Sequence, residues 1–513
     1  MSRIGSYGAS QMYLSRLTAI QGRLTKTQVQ VSTELKSTAY SGIAADSNRV
    51  INLENEVNRA NSFVRDNTLA ETKLKAATVS MDAIDTTLKN FQKRLNEYAS
   101  GSPQARDKVE QVQKWAYDAM VDLQSYLAAN VDGQYIFSGG RLSDEPVKLP
   151  TDNQADFQKL FDGTSVTYPT SRAASLFDLH TDSTQTGNIS FDGATGTINA
   201  PSLTSSPNAL SNIPAGARIK VSDSGGGAND GKMFTVRGVT VDGTGTHLDV
   251  SPLTDEGGPV PGTISYTDAN GATQTVSSNL TFNPGADTIQ IAASSGLTPG
   301  QVFSISGTPN NNAVYEVQSI ITGPPDTVTI KGTKVTTQAA SATIKLDSDS
   351  WYQGDTIQLQ HRVDTDRSVD LGIYASEPAF EKAFRALGLI AQGAYGTAGG
   401  LENHPERVAQ AKFLIQDAIE RTGNGKGPSP LGQEQTGDLH SLQAQIGVTQ
   451  GVIVAKNSKH KEFANFLQTR VADLERVDKT EAVARLLDDQ TALQTSYQAL
   501  ATVRGLSLLN YMK

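Results

Sequence analysis

The prolines of this chain divide it into three parts. Of 19 prolines, Pro103 alone lies between Met1 and Glu145, none follows Pro430, and the other eighteen lie from Pro146 to Pro430. Proline removes a backbone hydrogen-bond donor and breaks the interior of a helix. The sequence therefore predicts two helical ends that flank an irregular or β-rich middle.

The C-terminal end, Glu481 to Lys513, has the spacing of a helix that packs on another helix. Apolar residues recur there at intervals of three and four: Val483, Leu486, Leu487, Leu493, Tyr497 and Leu500. Asp478 and Glu481 form a capping-box pattern, so the helix should begin near Lys479. Burial of these side chains offsets only part of the entropy lost on ordering the backbone. We expect the helix to need a partner, either the rest of its own chain or a neighbouring subunit.

The N-terminal end predicts a rod of antiparallel helices. A first helix runs from about Ser10 to Leu35, a break follows at 37–45, and a long heptad pattern covers 46–99. A turn at Gly101 to Pro103 then leads into a return helix. Heptad spacing reappears from Leu439 for nearly forty residues. Its apolar positions are Leu442, Ile446, Ile453, Phe463, Leu467, Leu474 and Val477.

The middle of the chain contains an internal repeat of short strands. Residues 188–191, Asn-Ile-Ser-Phe, match residues 279–282, Asn-Leu-Thr-Phe, and the similarity continues through alternating apolar residues and glycine-containing turns. We therefore expect two related β-modules, at about 183–260 and 274–345. After them, Ile357 to Ile373 predicts a hairpin, and Ser376 could cap a helix.

These patterns predict a multidomain α+β fold: a long antiparallel helical rod formed by both chain ends, with an inserted β-rich region. The expected domains are an N-terminal assembly helix at 1–45 that pairs with a C-terminal one at 479–513, a rod hairpin at 46–180, the β-rich insertion at 181–345, and a β-hairpin with rod helices at 346–478.

Composition excludes several classes of function. The 44 basic and 53 acidic residues give a net charge of −9, and no basic patch for phosphate contacts is present. Cysteine is absent, which excludes disulfides and thiolate chemistry. No apolar run has the length of a membrane span or a secretory signal. We therefore expect no nucleic acid partner and no membrane insertion.

No pattern of catalytic or metal-binding residues stands out. The six histidines are scattered, and no phosphate loop or nucleophile elbow is present. The stretch Gly423 to Gly427 lacks the Ser or Thr of a phosphate loop, and His460 fits a polar position within the heptad pattern better than a ligand position. We expect no catalytic residue, no cofactor and no metal ion, and hence a protein that is not an enzyme.

Three stretches resemble the bacterial flagellin family. The end of the chain, ALQTSYQALATVRGLSLLNYMK, is similar to flagellin ends generally. ANVDGQYIFSGG at 129–140, and YQGD at 352–355 followed by PAFEKAFRAL at 378–387, look like the hook-associated members that join hook to filament. One loop departs from the family pattern, since 41–46 reads Ser-Gly-Ile-Ala-Ala-Asp with a single aspartate.

The resemblance implies a structural adaptor whose terminal helices fold as the subunits polymerise. Family members are exported unfolded through the flagellar type III apparatus, without a cleavable signal peptide, to the flagellum outside the cell. The implied partners are copies of the chain itself in a ring or helical lattice, a neighbouring hook-associated protein, flagellin, and an export chaperone at the C-terminal segment. The expected assembly interface consists of Leu17, Ile20, Leu24, Val31, Leu486, Leu493, Tyr497, Leu500 and Leu508.

Three alternatives remain open at this stage. A filament flagellin shares the end helices and differs only in the two junction-like stretches. A non-flagellar coiled-coil scaffold shares the heptads. The β-modules could also belong to a surface enzyme or carbohydrate-binding protein, although the only tryptophans are Trp115 and Trp351.

Overall fold

The computed structural model describes residues 2–101, 105–177, 189–201, 209–268, 272–332, 336–341, 344–348, 351–421 and 429–509. Its contacts divide the chain into two compact units. Unit 1 comprises 1–71, 362–368 and 451–513, and unit 2 comprises 72–361 and 369–450. This division passes through two long helices, whereas the predicted domain bounds fall between helices, and those bounds stay a prediction.

Nine α-helices occur in the described residues: α1 (Ser2–Thr33), α2 (Ser47–Ser100), α3 (Arg106–Leu127), α4 (Gln154–Leu160), α5 (Arg172–Ser175), α6 (Pro378–Ala391), α7 (Glu406–Ile419), α8 (Leu439–Glu475) and α9 (Lys479–Leu509). The predicted long helix at 46–99 and the rod helix from Leu439 are confirmed to within a residue. The first helix begins earlier than predicted, and a short 3₁₀ helix, Tyr40–Ile43, lies in the predicted break. The predicted turn at Pro103 lies outside the described residues.

Within unit 1, α2 and α8 bury small or apolar residues along their heptad positions. Val50, Val57 and Ala60 are buried on α2, and Ile453 and Leu467 are buried on α8. Apolar side chains at these intervals lie on one face of each helix, where contact with other elements removes them from water.

One residue of the predicted α8 pattern, Phe463, was assigned to the buried face of the helix but lies on its exposed face. Phe463 is 46% exposed, whereas its neighbour Ala464 is 3% exposed. The buried series moves forward by one position at Asn457, which is 6% exposed and replaces Lys456 in the stripe. The spacing alone did not reveal this shift because the predicted series was already interrupted by polar residues there.

Unit 2 contains a helix that is buried on every side. All residues of α6 except Pro378 are buried, including the charged residues Glu381, Lys382 and Arg385. Arg385 donates to both carboxylate oxygens of Glu381 and to those of Glu434, and Lys382 lies 2.7 Å from Asp417. Because each of these buried charges lies beside an opposite charge, they can occupy the interior of unit 2.

Two local predictions near α6 need correction. The helix begins after Glu377 with proline in its first turn, and Ser376 does not cap it; proline suits this position because the first amides of a helix have no intrahelical acceptor. The predicted hairpin is present, but its strands lie closer to the turn than expected: β17 (Gln360–Asp364) and β18 (Arg367–Asp370).

The remaining strands form a small hairpin and two β-modules. The hairpin is β1 (Asn130–Val131) and β2 (Gln134–Tyr135), whose turn residues Asp132 and Gly133 have positive φ as the Asp-Gly pair predicts. The other strands are β3 (Ile189–Asp192), β4 (Thr197–Pro201), β5 (Arg218–Asp223), β6 (Met233–Thr235), β7 (Gly238–Val241), β8 (Gly245–Asp249), β9 (Val260–Thr267), β10 (Thr273–Asn283), β11 (Thr288–Ile291), β12 (Val302–Ser306), β13 (Val314–Ile321), β14 (Asp326–Ile330), β15 (Gln338–Ser341) and β16 (Ile344–Ser348).

The structure assigns some of these strands differently from the sequence repeat. Strands β9 to β14 close a barrel in the order β10-β11-β14-β13-β12-β9, which we call barrel B. Strands β3 to β8 share a core with β16, and β15 pairs with β3; we call this set module A. The bounds 183–260 and 274–345 were therefore wrong at both edges. Residues 260–267 belong to the second module, where β9 pairs with the next strand, β10. Residues 338–341 and 344–348 belong to the first, because β15 and β16 pair with β3 and β5, which lie far earlier in the chain.

Among the described residues, no helix is both long enough and apolar enough to cross a membrane.

Candidate assembly interface

Helices α1 and α9 of unit 1 lie alongside each other, and all nine predicted assembly residues belong to them. Their polar contacts begin near the middle of both helices. Arg23 donates to the carboxylate of Asp489 at 3.2 Å, and Thr27 reaches the same carboxylate at 3.4 Å. Further along, Gln21 donates to the Tyr497 hydroxyl at 2.8 Å. These bonds fix the register of the two helices.

The start of α9 is set by an aspartate cap. The carboxylate of Asp478 accepts from the backbone amides of Thr480 at 2.9 Å and Glu481 at 3.2 Å. Amides in the first turn of a helix have no intrahelical acceptor, so this cap satisfies them. The predicted beginning at Lys479 is confirmed. The carboxylate of Glu481 pairs with Arg485.

A short antiparallel joint connects α1 and α9 to the rest of unit 1. Leu35 and Arg476 form an isolated β-bridge. The amide of Lys36 donates to the Glu475 carbonyl at 2.6 Å, and the amide of Val477 donates to the Glu34 carbonyl at 3.0 Å. We call residues 34–36 and 474–477 the joint. Two lengths of chain from opposite ends of the sequence are thus bonded to each other where α1 ends and α9 begins.

The conformation of Glu34 makes this joint possible. Its φ is +59°, in the left-handed region that residues with a side chain seldom adopt. Its carboxylate lies 2.8 Å from the ammonium of Lys479. That hydrogen bond lowers the pKa of the Glu34 carboxyl and raises the pKa of Lys479. The turn residue is therefore tied by both its carbonyl and its side chain to the start of α9.

The predicted assembly residues divide between two environments. Leu17 is 7% exposed, and the following residues are half-buried: Ile20, Leu24, Val31, Leu486, Leu493 and Leu500. Tyr497 is 47% exposed. The side chain of Leu508 lies outside the described residues. We call Leu486, Leu493 and Leu500 the inner stripe of α9.

A second set of apolar residues on these helices is exposed, and the sequence reasoning did not separate it from the first. On α9, Val483 is 37% exposed, Leu487 58% and Tyr497 47%. At about 100° per residue these three positions lie within roughly 80° of one another around the helix. We call them the outer stripe. On α1, Met12, Tyr13 and Leu14 are also exposed. The three-and-four spacing includes residues of both stripes, so it gave no signal that separates them.

His460 has a structural role within unit 1. Its ring stacks on Phe63 with a centroid distance of 5.0 Å, and its Nε2 lies 3.1 Å from the carbonyl oxygen of Val363. Asn67 donates to that same carbonyl at 3.2 Å, and Lys456 binds the carboxylate of Asp364 at 2.5 Å. These contacts hold the tip of the β17–β18 hairpin, 362–368, against α2 and α8.

No group of three or more His, Asp or Glu residues within the described part of the chain could hold a metal ion. The stretch 423–427, considered above for phosphate binding, lies outside the described residues.

Comparison with solved structures finds flagellar junction proteins at low similarity. FlgL from Legionella pneumophila, described as a flagellar junction protein, has 13% sequence identity and a TM-score of 0.26, over 79% of this chain and 99% of that chain. FlgL from Xanthomonas campestris has 11% identity and a TM-score of 0.23, over 81% and 98% of the two chains. TM-scores this low do not establish a shared fold. No curated protein matches.

A family model does match the C-terminal part of the chain. Residues 432–512 match the model described as the bacterial flagellin C-terminal helical region. This range contains α8, the C-terminal side of the joint, and α9. The segment that supplies the inner and outer stripes is therefore similar to the C-terminal helical region of bacterial flagellin.

Proposed function

We propose that this chain is a structural protein of the bacterial flagellum, where it joins hook-associated subunits to the flagellin filament. The observation that carries the proposal is the match of 432–512 to the flagellin C-terminal helical region. Copies of the chain associate through α1 and α9, and a hook-associated protein and flagellin bind on either side. An export chaperone holds the C-terminal segment before secretion, which proceeds without a cleavable signal peptide. No catalytic step is part of this function.

The two stripes of α9 have different roles in the proposed assembly. The inner stripe is half-buried within one chain, whereas Leu487 in the outer stripe keeps 58% of its surface exposed. Apolar side chains gain roughly 25 cal/mol for each Å² removed from water. Contact with a neighbouring copy therefore stabilises the assembled state through the outer stripe, and the pair α1–α9 becomes fully ordered only there.

Substitutions in the two stripes test this assignment. Leu487→Asp is expected to leave the helix content of the chain unchanged and to abolish its incorporation into flagella, whereas Leu487→Met is expected to incorporate normally. Leu493→Asp places a charge in the inner stripe, so it should separate α9 from α1 and also abolish incorporation, while unit 2 stays folded. Normal incorporation of either aspartate variant would overturn the role of α9 in assembly.

Filament flagellin remains a second candidate, because the matching family model is that of flagellin itself. Immunogold electron microscopy of intact flagella, with antibody against 189–348, distinguishes the two. Label confined to a narrow band between hook and filament supports the junction role. Label along the whole filament identifies a flagellin, and absence from flagella overturns both.

A further inference from the structure

Module A and barrel B have the same strand pairing in the same register. In each, a hairpin places apolar residues opposite one another, β3–β4 in module A and β10–β11 in barrel B. A third strand, β8 or β14, then pairs with the second strand of that hairpin. Three cross-strand pairs of module A have a counterpart in barrel B. Phe191–Ile198 corresponds to Phe282–Ile289, Ile198–Leu248 corresponds to Ile289–Val328, and Ile219–Phe234 corresponds to Phe303–Tyr315. The sequence repeat is therefore also a structural repeat.

Special backbone positions coincide as well. Gly216 and Gly300 have φ values of +86° and +82°, and each amide donates to a valine carbonyl at 2.7 Å. Gly196 and Asp287 also have positive φ, and the carbonyl of each accepts from an amide at the end of the third strand, Val250 just after β8 and Ile330 as the last residue of β14. Because the two modules agree at these constrained turn positions as well, they are two copies of the same backbone arrangement.

The copies differ in where their closing strand lies in the chain. In barrel B, β9 pairs with both β10 and β12 and comes before them in sequence. In module A the same place is filled by β15, which pairs with β3, and β16, which pairs with β5. Leu346 of β16 faces Val221 as Ile264 of β9 faces Ile305. Module A is thus closed by residues that follow the whole of barrel B.

The two ends of barrel B lie next to each other. A Cβ built on Gly332 would be 3.5 Å from Cγ of Pro252. The barrel is one continuous segment, and the chain leaves module A and returns to it at almost the same point. When barrel B is folded, the distance that β15 and β16 must cover to reach β3 and β5 is therefore short.

We propose that folded barrel B stabilises module A by holding the two ends of its closing connection together, so that module A loses stability when barrel B unfolds. Unfolding of barrel B turns a compact insertion into a flexible loop of about eighty residues, and the entropy of closing a loop rises with its length. The dependence runs in one direction. Barrel B contains all six of its own strands between 260 and 330, so it keeps its fold when module A opens.

Equivalent substitutions in the full chain test this dependence. Ile198 and Ile289 occupy the same place in the two copies, and both are fully buried. Amide hydrogen exchange is measured for Ile198→Asp and Ile289→Asp, with the amides of α6 as internal reference. Ile289→Asp is expected to accelerate exchange in 260–330 and also to accelerate it about tenfold or more in 189–250. Ile198→Asp is expected to accelerate exchange in 189–250 alone.

Either of two results overturns the proposal: undiminished protection of 189–250 in Ile289→Asp, or loss of protection in 260–330 in Ile198→Asp. A third variant separates closure from direct contact. Replacement of 253–331 by a Gly-Ser linker of roughly four residues keeps the ends close, so module A should stay protected. Loss of protection in that variant would show that module A needs contacts with barrel B rather than closure, and would also overturn the proposal.

Discussion

Helices α6 and α9 show two ways in which a chain of this kind stabilises a helix. Every residue of α6 except Pro378 is buried, and three of the buried side chains are charged. In α9, Ala482 is buried, and the remaining described side chains are half-buried or exposed. The position of α6 is determined by contacts on every side of the helix. Helix α9 has one partner within the chain and keeps apolar surface available to another.

The buried charges of α6 explain why its position is so well defined. Arg385 is fully buried between Glu381 and Glu434, and its guanidinium also donates to the carbonyl of Thr170 at 2.6 Å. Burial lowers the pKa of Lys382 and raises the pKa of Glu381. A helix with these charges tolerates one register only, because a shift would leave ions without partners in the interior.

Removal of Arg385 should give the largest effect. Arg385→Met removes the cation that Glu381 and Glu434 share, and loss of one member of a buried ion pair costs about 3–5 kcal/mol. The free energy of unfolding in urea, followed by the fluorescence of Trp351, which packs on Phe384, measures this loss. Arg106→Met is the matched control, since Arg106 and Glu110 have the same spacing but are exposed. A stable Arg385→Met variant would show that shape, and not charge, specifies α6.

A single methyl group should have opposite effects on the buried helix α6 and on α1, the partner of α9. A Cβ on Gly388 of α6 would lie 2.2 Å from the ring of Tyr168, so Gly388→Ala should destabilise unit 2 by about 1–3 kcal/mol. Nothing lies within 4 Å of the corresponding position on Gly22 of α1, so Gly22→Ala should favour its helix by about 0.5–1 kcal/mol. Circular dichroism during denaturation measures both. Changes in stability of the same sign in the two variants would contradict the expected difference between α6 and α1.

The hairpin tip at 362–368 should show the smallest effect, as a dependence on pH. The hydrogen bond from Lys456 lowers the pKa of the Asp364 carboxyl in the folded state. Stability from this pair is therefore complete above the unfolded pKa of about 3.9 and is lost as pH falls through the folded value. Amide exchange in 362–368 should accelerate over that range relative to 63–67.

Asp364→Asn is the control for this titration. It should make exchange at the hairpin tip faster at neutral pH and abolish the additional acceleration in acid. An acid response that persists in Asp364→Asn would assign it to a different group.

Sequence patterns predicted the elements that depend on local spacing. Heptads located α2 and α8, and an aspartate three residues before Glu481 located the start of α9, because periodicity and capping act within a few residues. The repeat identified related β-modules but not their bounds, since the strands that close module A, β15 and β16, pair with β3 and β5 on the other side of barrel B in the chain. Buried Glu381, Lys382 and Arg385 were not anticipated, because charged residues are ordinarily solvated and only their partners make burial possible.

For the proposed interface, the sequence pattern did not distinguish between the faces of the two helices. Leu493 and Leu487 satisfy the same three-and-four spacing, yet one is half-buried and the other exposed. The direction from which α1 approaches α9 decides between them, and that direction is set by the joint and by the bonds from Gln21 and Arg23.

The joint has a mechanical consequence. At 34–36 and 474–477 the outgoing and returning lengths of chain are hydrogen-bonded to each other rather than passing separately. Twist or tension applied to α1 therefore reaches α9 within a few residues, and neither helix can rotate about its own axis without breaking these bonds. A force that passes through the joint is therefore shared by two hydrogen-bonded backbone segments.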